Sequence, residues 1–224
     1  MRADEEHTMS ERAPLPHDEL VETLAGGLRP VRRLPSPALR ALIWCAAALG
    51  AGLALMPFAD LDALHLRMAV PDLRYAALGA LLTALTATVA AFQTSVPGRS
   101  LRWTLLPLAP AALWLSASGL GCLRTATVPG GAPPEAGGCF AFLIGVSLPL
   151  SLALVWMLRR ACPLRPNLTA ALAGLAAAAA AAVLLVPFHP HDATAADLAL
   201  HGVAVLLVIG VNGLAGGRLL TRGG

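Results

Sequence analysis

Residues 168–188 read LTAALAGLAAAAAAAVLLVPF, and no charged residue interrupts them. As an α-helix, a stretch of about twenty residues spans about 30 Å, the thickness of the hydrocarbon core of a bilayer. Five further stretches have a similar length and apolar character: 38–58, 75–95, 101–121, 139–158 and 195–215. The sequence therefore predicts an all-α integral membrane bundle of six transmembrane helices.

The composition agrees with a membrane protein. Of the 224 residues, 57% are hydrophobic and only 13% are charged, proportions that a soluble domain would not tolerate. Removing the spans leaves no soluble part large enough to bury a core. We predict a cytoplasmic tail at 1–37, a six-helix membrane domain at 38–215 and a short cytoplasmic tail at 216–224. No basic helix carries interleaved aromatic residues, so direct binding of nucleic acid is not expected.

The distribution of arginine predicts the orientation. The chain has 16 basic residues, all of them arginine. If the chain crosses the membrane six times, all but three of these arginines fall on the side of the N-terminus. Only Arg67, Arg74 and Arg124 fall on the other side. Because positively charged loops stay in the cytoplasm, both termini are predicted to be cytoplasmic.

Small residues within the spans predict close contacts between helices. Residues 170–182 are alanine except for Leu172, Gly174 and Leu175. Such a surface lets a neighbouring helix approach closely. The sixth span carries four glycines that could do the same: Gly202, Gly210, Gly213 and Gly216. Prolines at 107, 110 and 149 are expected to bend the third and fourth spans.

The tail contains one amphipathic pattern, which begins at Asp18. Its apolar residues fall on one helical face: Leu20, Val21, Leu24 and Leu28. Acidic residues flank that face, Gly26 and Gly27 weaken the helix, and Pro30 is expected to end it. The helix could lie on the inner leaflet or bind a groove in a basic protein. Acidic flanks would repel anionic lipid, so the pattern favours a protein partner.

The membrane interior lacks charge. No Asp, Glu or Arg lies in the middle of a span, whereas ion-coupled transporters usually need such groups. The interior Thr and Ser residues can return hydrogen bonds to their own helices. Neither a phosphate-binding loop nor a metalloprotease or hydrolase motif is present. These observations disfavour a transporter or an enzyme, and no cofactor is expected.

Two cysteines lie at the predicted outer surface. Cys122 ends the third predicted span and Cys139 begins the fourth, with a Gly/Pro-rich loop between them. If these spans are adjacent antiparallel helices, the thiols lie at similar depth and a disulfide is geometrically reasonable. Such a bond could be a purely structural staple. Of the other cysteines, Cys45 is expected to fill space in the first span, and Cys162 lies on the reducing side.

A second group of metal-ligand residues lies in the same predicted outer region, within the sequence PFHPHD. It consists of His189, His191 and Asp192. Thiolate and imidazole together are ligands for zinc, cadmium or similar ions. The spacing matches no strong metal motif, and histidines in outer loops are more often only solvated.

Four stretches together resemble a known family. They are DELVETLAGGLRPVRRLPSPALRALIW at 18–44, SVPGRSLRWTLLPLAPAALWL at 95–115 followed by GLGC at 119–122, MLRRACPLRPNLTAALAG at 157–174, and FHPHDA at 188–193. Their order and spacing resemble the NrsF-type bacterial membrane proteins, the negative regulators of sigma F. The resemblance covers essentially the whole chain. It implies a six-span anti-sigma factor in the bacterial inner membrane.

The resemblance also implies roles for particular residues. The family holds an extracytoplasmic-function sigma factor through its cytoplasmic N-terminal segment, and outward-facing cysteines respond to oxidant or heavy metal. The matching sensing positions are Cys122 and Cys139. The matching sigma-binding positions are Leu20, Val21, Leu24, Leu28, Val31, Arg32 and Arg33.

Two other functional classes compete with this interpretation. One is a small metal or solute transporter that uses the outer Cys/His residues as an entry site. The other is a membrane thiol oxidoreductase, for which a CxxC motif would be expected and none is present. The chain is therefore interpreted as a signalling protein that is not an enzyme.

Overall fold

The computed structural model describes residues 17–28, 33–126, 136–188 and 195–221. The chain divides into two compact units, Met1–Arg33 and Leu34–Gly224. Within the described residues every regular element is helical, with eight α-helices and three short 3-10 segments. The predicted all-α class is confirmed.

The first helix, α1, spans His17–Gly26 and is the predicted amphipathic helix of the tail. Asp18 and Glu19 lie in its first turn, where negative charge complements the helix dipole. The helix ends at Gly26, before Pro30, because two consecutive glycines are poor helix formers. Leu28, which was predicted to lie on the apolar face, therefore follows the helix instead of belonging to it.

The second unit contains seven α-helices. In chain order they are α2 (Pro37–Leu55), α3 (Leu61–Met68), α4 (Pro71–Thr94), α5 (Leu108–Ala126), α6 (Ala136–Arg159), α7 (Pro166–Leu185) and α8 (Ala195–Thr221). All except α3, some with an adjoining 3-10 turn, are long and apolar enough to cross a membrane. The six predicted spans are confirmed, and the chain is a multi-pass membrane protein. The last helix continues to Thr221, past the predicted end of the sixth span at residue 215.

The short helix α3 was not predicted from the sequence. Asp60 caps its N-terminus, since the carboxylate accepts a hydrogen bond of 2.9 Å from the backbone N–H of Ala63. This carboxylate is therefore a helix cap, as Asp often is. At the far end of α3, the Arg67 side chain donates to the carbonyls of Ala63, at 3.4 Å, and Val186, at 2.7 Å.

Proline interrupts the third span more strongly than predicted. The span begins as a 3-10 segment, Leu101–Leu105, and α5 starts only at Leu108, directly after Pro107. Proline lacks a backbone N–H, so the α-helical ladder cannot run through this position from the preceding turn. In contrast, Pro149 lies inside α6 without ending it.

Consecutive spans run in opposite directions across the bundle. The arginines between them therefore separate into two groups. One end of the bundle carries Arg40, Arg99, Arg102, Arg159, Arg160, Arg165 and Arg218, and we call it the arginine-rich end. Arg67 and Arg74 lie at the other end, which we call the opposite end. Cys122 and Cys139 both lie toward the opposite end.

The alanine-rich helix α7 forms the centre of the bundle. It packs against α4, α6 and α8, and 56% of its most apolar window is buried, the largest share among the six spans. Gly174 on α7 allows a close approach of α8, because a Cβ there would lie 2.9 Å from the carbonyl oxygen of Val208 on α8. Gly216 on α8 makes the reciprocal contact, 2.7 Å from the carbonyl oxygen of Pro166.

The four glycines of the sixth span are not equivalent. A Cβ added at Gly213 would touch the Ala171 side chain at 3.4 Å, and one at Gly216 would clash. A Cβ at Gly202 or Gly210 would meet nothing within 4 Å. The expectation of close helix contact is therefore wrong for Gly202 and Gly210, because these two residues point away from α7.

Replacing Gly174 with leucine is expected to destabilise the bundle. The added side chain would overlap the backbone of α8, and overpacking of this kind costs about 2–3 kcal/mol. Thermal unfolding of the purified protein in detergent should show a clearly lower midpoint. Gly210→Leu is the matched control and should leave the midpoint nearly unchanged. Equal midpoints for the two variants would contradict the α7–α8 packing.

The first span, α2, is held differently from the others. Only 11% of its most apolar window is buried. Two polar side chains attach it to α6: the Arg40 guanidinium donates to the Met157 carbonyl, and the Trp44 indole N–H donates to the Leu150 carbonyl at 3.1 Å. Arg40 also lies over the ring of Phe92 on α4, 4.8 Å from its centroid. Directional contacts thus fix a helix that has little buried surface.

Candidate functional site

The apolar face of α1 is exposed. Leu20, Val21 and Leu24 are 42%, 53% and 63% exposed, and no described residue of the helix is buried. Leu28, just past the helix, is 78% exposed. A row of large apolar side chains on a helix outside the spans is a typical contact surface for a partner.

Polar groups surround this face. Asp18, Glu19 and Glu22 lie off it, and the Thr23 hydroxyl donates to the Glu19 carbonyl at 2.7 Å. Of the predicted sigma-binding residues that follow, Arg33 is exposed, whereas Val31 and Arg32 lie outside the described residues. The helix therefore offers an apolar strip with acidic flanks.

The two candidate sensing cysteines lie within helices. Cys122 is half-buried in the last part of α5, and Cys139 is buried in the first part of α6. Cys139 belongs to a small apolar cluster with Leu143, Leu185 and Ala204. Each thiol is therefore held by a helix that crosses the membrane, not by the loop between the helices.

The helices that carry these cysteines are not neighbours in the way the sequence suggested. Along their described lengths, α5 packs mainly against α4, whereas α6 packs against α7 and α8. The arrangement that a disulfide would need, an adjacent antiparallel pair, is therefore not seen along the described lengths, although both cysteines lie toward the same end of the bundle. Hydropathy predicts where a helix lies along the membrane normal but carries little information about which helices are neighbours.

The predicted metal-ligand residues of the outer region, His189, His191 and Asp192, lie outside the described residues. Among the residues that are described, no group of three or more His, Cys, Asp or Glu side chains is placed to hold a metal ion.

The interior polar residues mostly bond to their own helices, as predicted. Thr83 and Thr88 each donate to the carbonyl four residues earlier, at 2.7 Å. Other bonds cross between helices: for example, the Ser151 hydroxyl on α6 donates to the Asn212 side-chain oxygen on α8 at 2.7 Å. The sequence does not indicate this pairing.

A buried carboxyl near the start of α8 was also missed. Asp197 is only 1% exposed, and His201 lies one turn further along the helix. The signal was available in the sequence, because the two residues are separated by four positions and share one helical face.

A cavity of about 570 Å³ lies in the half of the bundle nearer the opposite end. Residues of α3, α4 and α5 line one side, and residues of α7 and α8 line the other, with Leu143 contributed by α6. Most of the wall is apolar. The polar side chains that line it include Arg67, Ser118 and His201.

A comparison with protein families gives a match over most of the chain. Residues 24–222 match the model of the family described as NrsF, negative regulator of sigma F. The match begins at Leu24 and covers all six spans. Neither the curated proteins nor the solved structures give a match.

Proposed function

Because the chain belongs to the NrsF family of negative regulators of sigma F, its partner is a sigma factor, and we propose how it binds and releases that partner. The sigma factor is of the extracytoplasmic-function type. It binds the N-terminal unit at Leu20, Val21, Leu24 and Leu28, together with Val31, Arg32 and Arg33. An oxidant or heavy metal acting on Cys122 and Cys139 releases it.

The exposed apolar face of α1 is the observation that carries this proposal. A free helix with three large apolar side chains exposed by 42–63% gains much when a protein groove covers them. The acidic flanks suit a basic partner. Sigma factors bind DNA and therefore carry basic surfaces.

The proposal requires that the N-terminal unit lies in the cytoplasm, where sigma factors act. The arginine-rich end of the bundle supports this orientation, since positively charged ends of spans stay on the cytoplasmic side. The opposite end, with both candidate cysteines, then faces the oxidising side of the membrane. Low-molecular-weight oxidants and soft metal ions reach thiols there.

Reporter fusions test the orientation. A periplasm-active reporter fused after Gly130 should be active, whereas the same reporter fused after Pro163 or at the C-terminus should be inactive. The reason is the arginine distribution, which favours an outer location for the α5–α6 connection. An active reporter at the C-terminus would reverse the assignment of the two faces.

Purification from native membranes tests the function itself. The full chain with a C-terminal tag should retain one sigma factor through mild solubilisation, and mass spectrometry should identify it as a member of the extracytoplasmic-function group. Adding an oxidant or cadmium to the cells beforehand should reduce the recovered sigma factor. A tagged protein that brings down no sigma factor above the level of an unrelated six-span protein would refute the proposal.

A further inference from the structure

The cavity near the opposite end results from the way α5 is packed. Gly79 on α4 brings α5 into close contact, since a Cβ there would lie 2.6 Å from the backbone nitrogen of Trp114. Beyond this contact α5 packs mainly against α4 and makes few contacts with α8. A space of about 570 Å³ remains between the pair α4 and α5 and the pair α7 and α8. This volume is within the range of small-molecule pockets.

The cavity opens sideways, toward the lipid. Two of the residues that line it, Leu115 on α5 and Leu206 on α8, are 67% and 69% exposed, and both lie within spans. In a bilayer these side chains contact acyl chains, so the opening between them leads into the hydrocarbon region. An apolar cavity excludes water, and its walls lose contacts if nothing fills it. An apolar molecule that enters from the membrane would restore those contacts.

One end of the cavity is lined by a basic side chain. Arg67 lines it at the end nearer the membrane surface, where its guanidinium is positioned by the carbonyls of Val186, at 2.7 Å, and Ala63, at 3.4 Å. No other arginine is among the described lining residues. A cation at the rim of an apolar cavity is complementary to an alkyl chain that ends in an acidic group.

We propose that this cavity binds one alkyl chain of an acidic membrane amphiphile, with the carboxylate or phosphate at Arg67. The chain lies against Trp114, Leu115 and Leu206. The head group is the chemistry shared by a free fatty acid and an anionic phospholipid, and the experiment separates these two sources.

Fluorescence quenching by bromine tests the proposal, because Trp114 lines the cavity. The full chain is placed in nanodiscs of phosphatidylcholine and titrated with 9,10-dibromostearate. The difference in quenching between the parent and Trp114→Phe reports on Trp114 alone. This difference should saturate in the parent. A linear, unsaturated difference means only random encounter in the bilayer and overturns the proposal.

A side chain that fills the cavity should remove the saturable part of the Trp114 quenching. Gly202 lines the cavity, and a Cβ there meets open space, so Gly202→Leu fills it without a clash. We expect an affinity lower by about tenfold or more. Gly210→Leu, on the same helix but outside the cavity, should bind like the parent. Ala77→Met fills the cavity from α4 and gives a second variant should Gly202→Leu not fold. Unchanged saturation in a folded filling variant overturns the site.

The head group is tested with matched probes. The parent should prefer dibromostearate over the corresponding dibromo alcohol by about tenfold, and Arg67→Gln should remove most of that preference. Arg74→Gln, at the same end but not lining the cavity, should retain it. If Arg67→Gln prefers dibromostearate over the alcohol as strongly as the parent does, Arg67 does not bind the head group. Saturable quenching by dibrominated phosphatidylglycerol identifies a phospholipid, and quenching by the free acid alone identifies a fatty acid.

Discussion

Replacing Leu24 with aspartate is expected to abolish capture of the sigma factor. Leu24 is the most exposed of the large apolar residues of α1 and is the residue at which the family match begins. Burying an unpaired carboxylate in a partner's groove costs several kcal/mol, whereas a micromolar complex is held by only about 8 kcal/mol. Recovery of the sigma factor with the tagged protein should fall by about a hundredfold or more.

Thr23→Asp is the matched control for this change. It adds the same charge one residue away, on a part of α1 that lies off the apolar strip, so the sigma factor should still be recovered. Both variants should reach the membrane in normal amounts, because the change lies outside all six spans. Leu28→Asp tests whether the binding surface continues past the end of the helix, in which case recovery of the sigma factor should fall here too. Recovery of the sigma factor with Leu24→Asp at the parent level would exclude α1 as the binding element.

Substituting serine for Cys122 or Cys139 is expected to remove the response to oxidant or cadmium. Serine has nearly the size of cysteine but cannot be oxidised to a disulfide and is a poor ligand for soft metals. A transcriptional reporter of the sigma factor should lose most of its induction in either variant. The reporter signal without inducer should stay low, because the segment that binds the sigma factor is unchanged.

Cys162→Ser provides the control, since it removes an exposed thiol at the arginine-rich end of the bundle. Its induction should equal that of the parent. Because α5 and α6 are not packed neighbours along their described lengths, the prediction does not require that oxidation joins the two thiols directly. If Cys122→Ser and Cys139→Ser are both induced like the parent, the thiols are structural and the next candidate sensors are His189, His191 and Asp192.

The sequence predicted the helices well because membrane spans leave a simple signal. Each needs about twenty apolar residues, and all six stretches satisfy that requirement. The errors concern local backbone chemistry: a 3-10 segment before Pro107, the capped helix α3 after Asp60, and the continuation of α8 to Thr221. These features depend on single residues and not on average hydropathy.

Neighbour relations were predicted less well. Glycine at 174 and 216 mediates close packing, whereas glycine at 202 and 210 faces open space, and nothing in the local sequence separates the two pairs. For the same reason the sequence suggested that Cys122 and Cys139 lie on adjacent helices. The cavity between α5 and α8 could not be predicted either, because it arises where two helices fail to meet.

The attachment of α2 has a mechanical consequence. Its two hydrogen-bond acceptors, at Leu150 and Met157, lie on α6, the same helix that carries Cys139. About 27 Å of continuous helix separates Cys139 from Met157. A small tilt of α6 at the thiol would therefore displace the attachment points of α2 at the far end of the span, which is the end of α2 that follows the N-terminal unit in the chain. A stimulus at one membrane surface would then reach the other through α6 and its two hydrogen bonds to α2, without repacking of the alanine-rich core.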